Sequence, residues 1–326
     1  MYRCTTYIEI TTATGTVKFD YVHALTVQHS IESMTDICTL TLPRNLNLKD
    51  KNIRDIISVG DQVSVQLGYD DSNDTVFEGF IRSIKPGTPV VMTCEDTMYI
   101  LKRIKVPNKH YLSVTLTEFL KEHMPPGMVM NLADVKLGEL RIVDEPTLAK
   151  VLDRFIDEYT LRFFFRDGVF YGVLPSTYAA LTGIETHKLR LSWNTTDDYR
   201  LNYVNADDIE VTIKAKAILK DNTKLEVQEP EGKADGDVRT YFSDTATTKD
   251  ELRAFAQEKL KSYKEERVDG TVTVFGLPYI RVADRVKLFS DRDAEFNEKT
   301  FLVKEVKRTF GDGGIRQVIT LGVKIS

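Results

Sequence analysis

The residues able to do chemistry in this chain are few and poorly grouped. Five histidines, His23, His29, His110, His123 and His187, make no pair at i, i+4. His23 and His29 share strand parity, but a metal needs further ligands and none stands nearby. Two carboxylate pairs, Glu95-Asp96 and Asp197-Asp198, are adjacent in sequence. An acid and a base must face one bond, whereas neighbours on a strand point to opposite faces. Both pairs therefore read as solvated turn acids. Cys4, Cys38 and Cys94 are far apart and read as reduced, buried small side chains. Phosphate-cradling glycine loops, a H-E-x-x-H helix, C-x-x-C and the G-x-S-x-G elbow are all missing. The expectation is no catalytic, cofactor or metal site.

Aromatic rings are better grouped. Phe163, Phe164, Phe165, Phe170 and Tyr171 fall within nine residues. They would form either a stacking platform or a hairpin buried against a helix, and burial is the simpler outcome. Phe164 points away from Phe163 and Phe165, so something else must cover it. It is the candidate subunit-contact aromatic.

These residues sit on recognisable elements. The first hundred residues read as strands at Tyr7–Ile10, Thr16–Asp20, Ala24–Ser30, Ile37–Leu42, Val63–Leu67, Phe77–Ile84 and Val90–Cys94, from alternation and turn residues. The middle switches to helical period. Thr115 and Glu118 make a capping box. A second helix is expected after Asp144, with Pro146 in its first turn and an apolar stripe from Leu148 to Tyr159. Asp167-Gly168 between apolar runs signals a tight hairpin. Leu174–Arg200 reads as a looser link. A long strand is expected at Ile209–Lys220, turning at Asp221-Asn222 and returning at Lys224–Val227. Its odd positions would face a barrel core. Thr248 and Glu251 cap a third helix, and strands at Thr271–Phe275, Arg285–Phe289 and a hairpin within Phe301–Leu321 close the chain.

A pattern also repeats. VGDQVSVQLG, Val59 to Gly68, precedes the hairpin segment ending at Asp96; VADRVKLFS, Val282 to Ser290, precedes the one ending at Val323. Two such units predict pseudo-symmetry. The expected class is α+β, mainly β: two β-barrel or sandwich domains related by duplication, residues 1–104 and 179–326, flanking a small α/β insertion at 105–178.

Composition sets few limits. The 326 residues suit two or three domains, with 42% hydrophobic and 29% charged residues and a net charge of −5. That charge gives no global bias toward nucleic acid. No apolar run reaches the roughly 20 residues of a membrane helix, and the N-terminus does not read as a signal peptide. Synthesis in the cytoplasm is expected.

The stretch DEPTLAKVLDRFIDEYTLRFFFRDGVFYGV, Asp144 to Val173, resembles the middle domain of the phage late control D / baseplate hub family, with Tyr159-Thr160 where a Gly often stands. The bracketing VGDQV…FEGFIRSI and VADRV…FLVKEVKRTF units resemble that family's two tube-like barrels. The resemblance implies a homotrimer in the virion tail or baseplate, its six barrels joining a six-fold tail tube or distal tail protein to a three-fold spike. The family's type VI relatives fuse the hub to a needle. Here the chain stops at Ser326, so the spike is expected on a separate chain. Transient passage of DNA down the axis would make Lys214 and Lys216, on the basic face of the long strand, the candidate lumen-facing residues. A carbohydrate- or peptidoglycan-binding accessory using Phe164, Tyr178 or Trp193 is the alternative.

Overall fold

The computed structural model describes residues 3–43, 53–85, 87, 89–181, 183–219, 223–232, 236–243, 245–264 and 266–325. Strand makes up 51% of the chain and helix 18%, so the class is mainly β.

The first part contains β1 (Cys4–Thr12), β2 (Gly15–Phe19), β3 (Ala24–Ser30), β4 (Ile37–Leu42), the short α1 (Ile53–Ile56), β5 (Gln62–Tyr69), β6 (Ser72–Lys85) and β7 (Val90–Glu95). Alternation decides these strands: Leu25, Val27, Cys38, Leu40 and Leu42 turn inward, at most 1% exposed, and their neighbours turn outward. They pack with Ile8, Ile10, Val63, Val65, Ile81 and Met92 into one core.

The middle part holds α2 (Met98–Leu101), β8 (Lys109–Thr115), α3 (Leu116–His123), β9 (Met130–Leu132), β10 (Lys136–Ile142), α4 (Leu148–Tyr159), β11 (Arg162–Arg166) and β12 (Val169–Val173). The Thr115–Glu118 capping box forms as expected. Helix α4 starts later than expected: Thr147 caps it and accepts the Lys150 N–H, while Asp144 and Glu145 are left-handed turn residues and Pro146 lies outside the helix. Asp167 and Gly168 have φ of 51° and 75°, the two positive values a tight hairpin needs. Leu148, Leu152 and Phe155 of α4 pack on Phe163 and Phe170.

The last part holds β13 (Thr186–Arg190), β14 (Thr195–Val204), β15 (Val211–Ile218), β16 (Lys224–Glu229), β17 (Asp237–Phe242), α5 (Lys249–Tyr263), β18 (Arg267–Phe275), β19 (Arg285–Phe289), β20 (Thr300–Gly311) and β21 (Gly314–Lys324). Two expectations need correction. Leu174–Arg200 is not a plain link, since it contains β13 and the start of β14. The long strand β15 does not face a barrel core either. It sits between β16 and β17 in a separate three-stranded sheet, and Val211, Ile213, Ala215 and Ala217 pack on Leu252 and Ala256 of α5. The expected turn at Asp221-Asn222 lies outside the described residues.

Among the described residues the main sheet has thirteen strands. Its path is β14-β18-β21-β20-β3-β4-β7-β6-β5-β1-β2, with β19 on β20 and β13 on β19. The two expected closed barrels are not formed: β3 pairs with β20, fusing the two halves into one open sheet. Within it, one spatial order occurs twice, β3-β4-β7-β6-β5-β1 and β14-β18-β21-β20-β19-β13. Strands follow the chain in the same sequence in both, except that β2 lies between β1 and β3 with no counterpart, and β15, β16, β17 and α5 are inserted between β14 and β18. The pairs match in direction except the last, antiparallel for β1–β5 and parallel for β13–β19.

The likeness extends to single hydrogen bonds. Gly60 N–H donates to Ile81 O at 2.8 Å and Ile81 N–H to Asp61 O at 2.9 Å. Ala283 N–H donates to Val303 O at 2.9 Å and Val303 N–H to Asp284 O at 2.8 Å. Ser58 N–H reaches Asp61 Oδ2, and Arg281 N–H reaches Asp284 Oδ2, both at 2.8 Å. Gly60 and Ala283 are both left-handed, with φ of 99° and 65°.

Candidate functional site

A charged cavity of about 330 Å³ lies where all three parts meet. Strand β3 supplies His29, the turn after it Asp36, and the residue following β7 is Asp96. The end of β11 supplies Arg166, and the last part supplies Tyr279 and Arg308.

His29 stands between two acceptors, Asp36 Oδ2 at 2.6 Å and Val76 O at 2.9 Å. The other Asp36 oxygen accepts the Ser30 N–H at 3.0 Å. Asp96 is buried; its backbone N–H donates to Asp36 O and its Oδ1 accepts the Met98 N–H. Burial, reinforced by the negative charge of Asp36, pushes the Asp96 carboxyl well above the usual carboxylate range. A raised acid beside a histidine can mark catalysis. Here both His29 nitrogens are engaged, so the ring has no free nitrogen to act as a base. What the group does is tie the β3–β4 turn to β6.

Asp284 anchors the other wall and is wholly buried. It takes Arg166 Nη2 on Oδ1 at 2.8 Å and His187 Nε2 on Oδ2 at 3.0 Å. Burial alone would raise its carboxyl. The His187 hydrogen bond and the Arg166 charge outweigh that and hold it below the ordinary range. Arg166 also donates to Val282 O at 2.7 Å, and Arg281 reaches Asp167 at 2.6 Å. The hairpin turn of the middle part is thus clamped to the last part by charge-assisted bonds. Arg308 is buried across from them, its guanidinium 4.1 Å from the Tyr279 ring centroid. It donates to Gln317 at 3.2 Å and to Ile280 O. Burial lowers its pKa.

A second cavity, about 400 Å³, lies between α4, α5 and β20. Lys259, 6% exposed, enters it and donates to Asp157 O at 2.9 Å. Burial, with nearby Arg162, lowers its pKa to about 8.

The residues singled out from sequence are dispersed. Phe164 is 2% exposed, stacked on Tyr171 and packed with Val173, Leu189 and Val286. Its cover is thus the core of its own chain. Tyr178 is buried too, whereas Trp193 is 71% exposed beside Arg190. That leaves a lone ring rather than a sugar platform. Lys214 and Lys216 lie half-buried on the side of β15 away from α5, Lys216 paired with Glu226 at 3.4 Å. Glu95 and Asp96 are buried rather than solvated; Arg82 and Lys102, each at 3.0 Å, neutralise Glu95. The side chains of Asp197 and Asp198 lie outside the described residues. His23 is exposed and does not join His29. Among the described residues no group of three or more His, Cys, Asp or Glu is placed to hold a metal, and no helix is long and apolar enough to cross a membrane. Sequence reasoning missed the Asp284 clamp, Arg308 and Lys259. Only Asp284 carried a signal, as the partner of Asp61 in the VGD/VAD repeat.

Comparison with known proteins gives a fold and no family. No protein-family model matches the chain. No curated protein matches its sequence. Solved structures do match. The tail protein from Neisseria meningitidis MC58 superposes with a TM-score of 0.69 at 14% identity, covering 97% of this chain and 96% of that one. The 43 kDa tail protein of prophage MuSo2 from Shewanella oneidensis gives 0.70 at 14% identity, with 98% of each chain covered. The E. coli c3393 protein, a type VI secretion component described as structurally similar to T4 tail proteins gp27 and gp5, gives 0.56 at 13% identity over 94% of this chain and 74% of that one. The chain shares the fold of these proteins over nearly its whole length.

Proposed function

We propose that the chain is a structural hub of a contractile phage tail or phage-like injection machine, located in the virion tail or baseplate and not an enzyme. Three copies form a pseudo-six-fold ring that joins a six-fold tail tube, or a distal tail protein, to a three-fold spike carried on another chain. The observation that carries this reading is the repeated strand order with matching hydrogen bonds at Asp61 and Asp284. A chain with two like units in tandem gives six units from three copies, which meets a six-fold partner on one side and a three-fold partner on the other. The fold shared with a Neisseria tail protein and a prophage tail protein supports it. On this reading residues 1–104 and 179–326 are the two tube-like domains, related by duplication, and 105–178 the insertion between them.

End-on images of the purified assembly test the ring: six like lobes with three-fold symmetry are expected, and a ring of three lobes contradicts it. Lys214 and Lys216 remain the candidates for a channel wall past which DNA slides, since phosphate contacts are non-specific and salt-sensitive. Replacing both with Glu slows DNA delivery without blocking assembly. Normal infectivity rejects that role.

A further inference from the structure

The second cavity holds more positive charge than the acids on its wall balance. Arg162, Lys259, Arg267 and Lys304 line it, against Glu32 and Asp157. Two of these cations have carboxylates of their own. Lys304 meets Glu32 at 3.3 Å, and Arg267 meets Asp269 at 3.0 Å. Arg162 and Lys259 do not: among the described residues no carboxylate comes within ion-pair reach of either.

Lys259 is buried and held by neutral groups. Its Nζ donates to the Asp157 carbonyl at 2.9 Å and stands 5.1 Å and 5.4 Å from the Tyr241 and Phe255 ring centroids. The Asp157 residue is otherwise exposed. An ammonium has three protons to donate, and among the described residues only one meets an acceptor. Arg162 is half-buried. Its Nη1 donates to Leu161 O at 2.9 Å, and its Nε and Nη2 find no acceptor among the described residues. The two cations are close enough for the charge of Arg162 to act on Lys259. Burying a cation without a counter-charge is costly, and a like charge beside it adds to the cost. The space between them, about 400 Å³, has the size of a ligand pocket.

We propose that this cavity binds a small oxyanion of the phosphate or sulfate type between Lys259 Nζ and the Arg162 guanidinium. The guanidinium edge presents paired N–H donors and the ammonium a compact charge, a combination suited to a tetrahedral oxyanion. Lys259 lies on α5 and Arg162 opens β11, just after α4. The ion therefore adds to the Asp157 carbonyl bond in tying α5 to the middle part.

Calorimetry with sulfate at pH 8 tests it, since sulfate does not titrate there. The wild type should bind one ion. The ion favours charged Lys259, whose amine titrates at about 8, so binding should take up about half a proton. That uptake appears as a difference in heat between Tris and HEPES buffers. Lys259→Met should weaken binding about tenfold or more, the loss of one charge-assisted bond, and abolish the uptake. Lys259→Arg should keep the binding and lose the uptake, because a guanidinium does not titrate. Arg162→Gln should weaken binding as Lys259→Met does. A wild-type signal no larger than the heat of dilution overturns the proposal. So does an affinity unchanged in Lys259→Met, or binding with no proton uptake, since the ion then sits elsewhere.

Discussion

The turns ending in Asp61 and Asp284 share their backbone bonds, yet one aspartate is half-exposed and the other wholly buried. Among the described residues the Asp61 carboxylate closes its own turn. Asp284 makes the same turn and also neutralises Arg166 and receives His187. The first turn uses its carboxylate as a local turn-closer, and the second uses the like carboxylate as the post to which the middle part is fastened. The two like turns thus differ where the second meets the middle part of the chain.

The comparison breaks most easily at the aspartates. Asp284→Ala takes from Arg166 its buried partner, leaving only Asp167 at 3.5 Å, and should cost about 3–5 kcal/mol, the range for a broken buried pair. Asp61→Ala should cost about 1 kcal/mol, the loss of a turn bond. Urea unfolding of the two variants measures the gap, and equal losses would erase it. The two faces of the β11–β12 hairpin sharpen the point. Phe155→Ala opens the α4 side and Phe164→Ala the side against the last part, and each should cost about 3–5 kcal/mol as a core cavity. A loss under about 0.5 kcal/mol for Phe164 would mean that the hairpin does not grip the second repeat.

The left-handed positions give a smaller effect. Gly60→Ala should destabilise by about 1 kcal/mol, since an L side chain is strained there, and Ala283→Gly should be neutral or slightly stabilising for the same reason. Opposite signs support equivalent turns; the same sign in both counts against them. The smallest effect is at Lys259. Its folded pKa, about 8, is below the ordinary 10.5. Between those values the unfolded chain holds a proton that the folded one has released, so this group makes stability rise with pH. Lys259→Met should flatten the alkaline part of a melting-temperature profile, and an unchanged slope would place the ammonium in water.

Much of this was legible in the sequence. The apolar alternation of β3 and β4, both helix capping boxes, the Asp167-Gly168 turn and the VGDQV/VADRV echo all rest on local spacing, and local spacing survives folding. The displacement of β15 was not legible, because its alternation is the same whether its apolar face meets a barrel or α5. Strand β17 gave no signal, since DVRTYF is mostly exposed and lacks an inward face. The late start of α4 escaped because Asp144 and Thr147 are both capping residues, and only the left-handed backbone at Asp144 separates them. The clamp needed Arg166 and Asp284 to meet across 118 residues. The covering of Phe164 was anticipated as a need, but its source, the chain's own second repeat, depends on packing that no short window contains.

The most direct test of the central claim is the mass of the protein in solution by light scattering. The ring account predicts a single species at three times the 37.2 kDa chain mass. A monomer at every concentration up to the limit of solubility contradicts it.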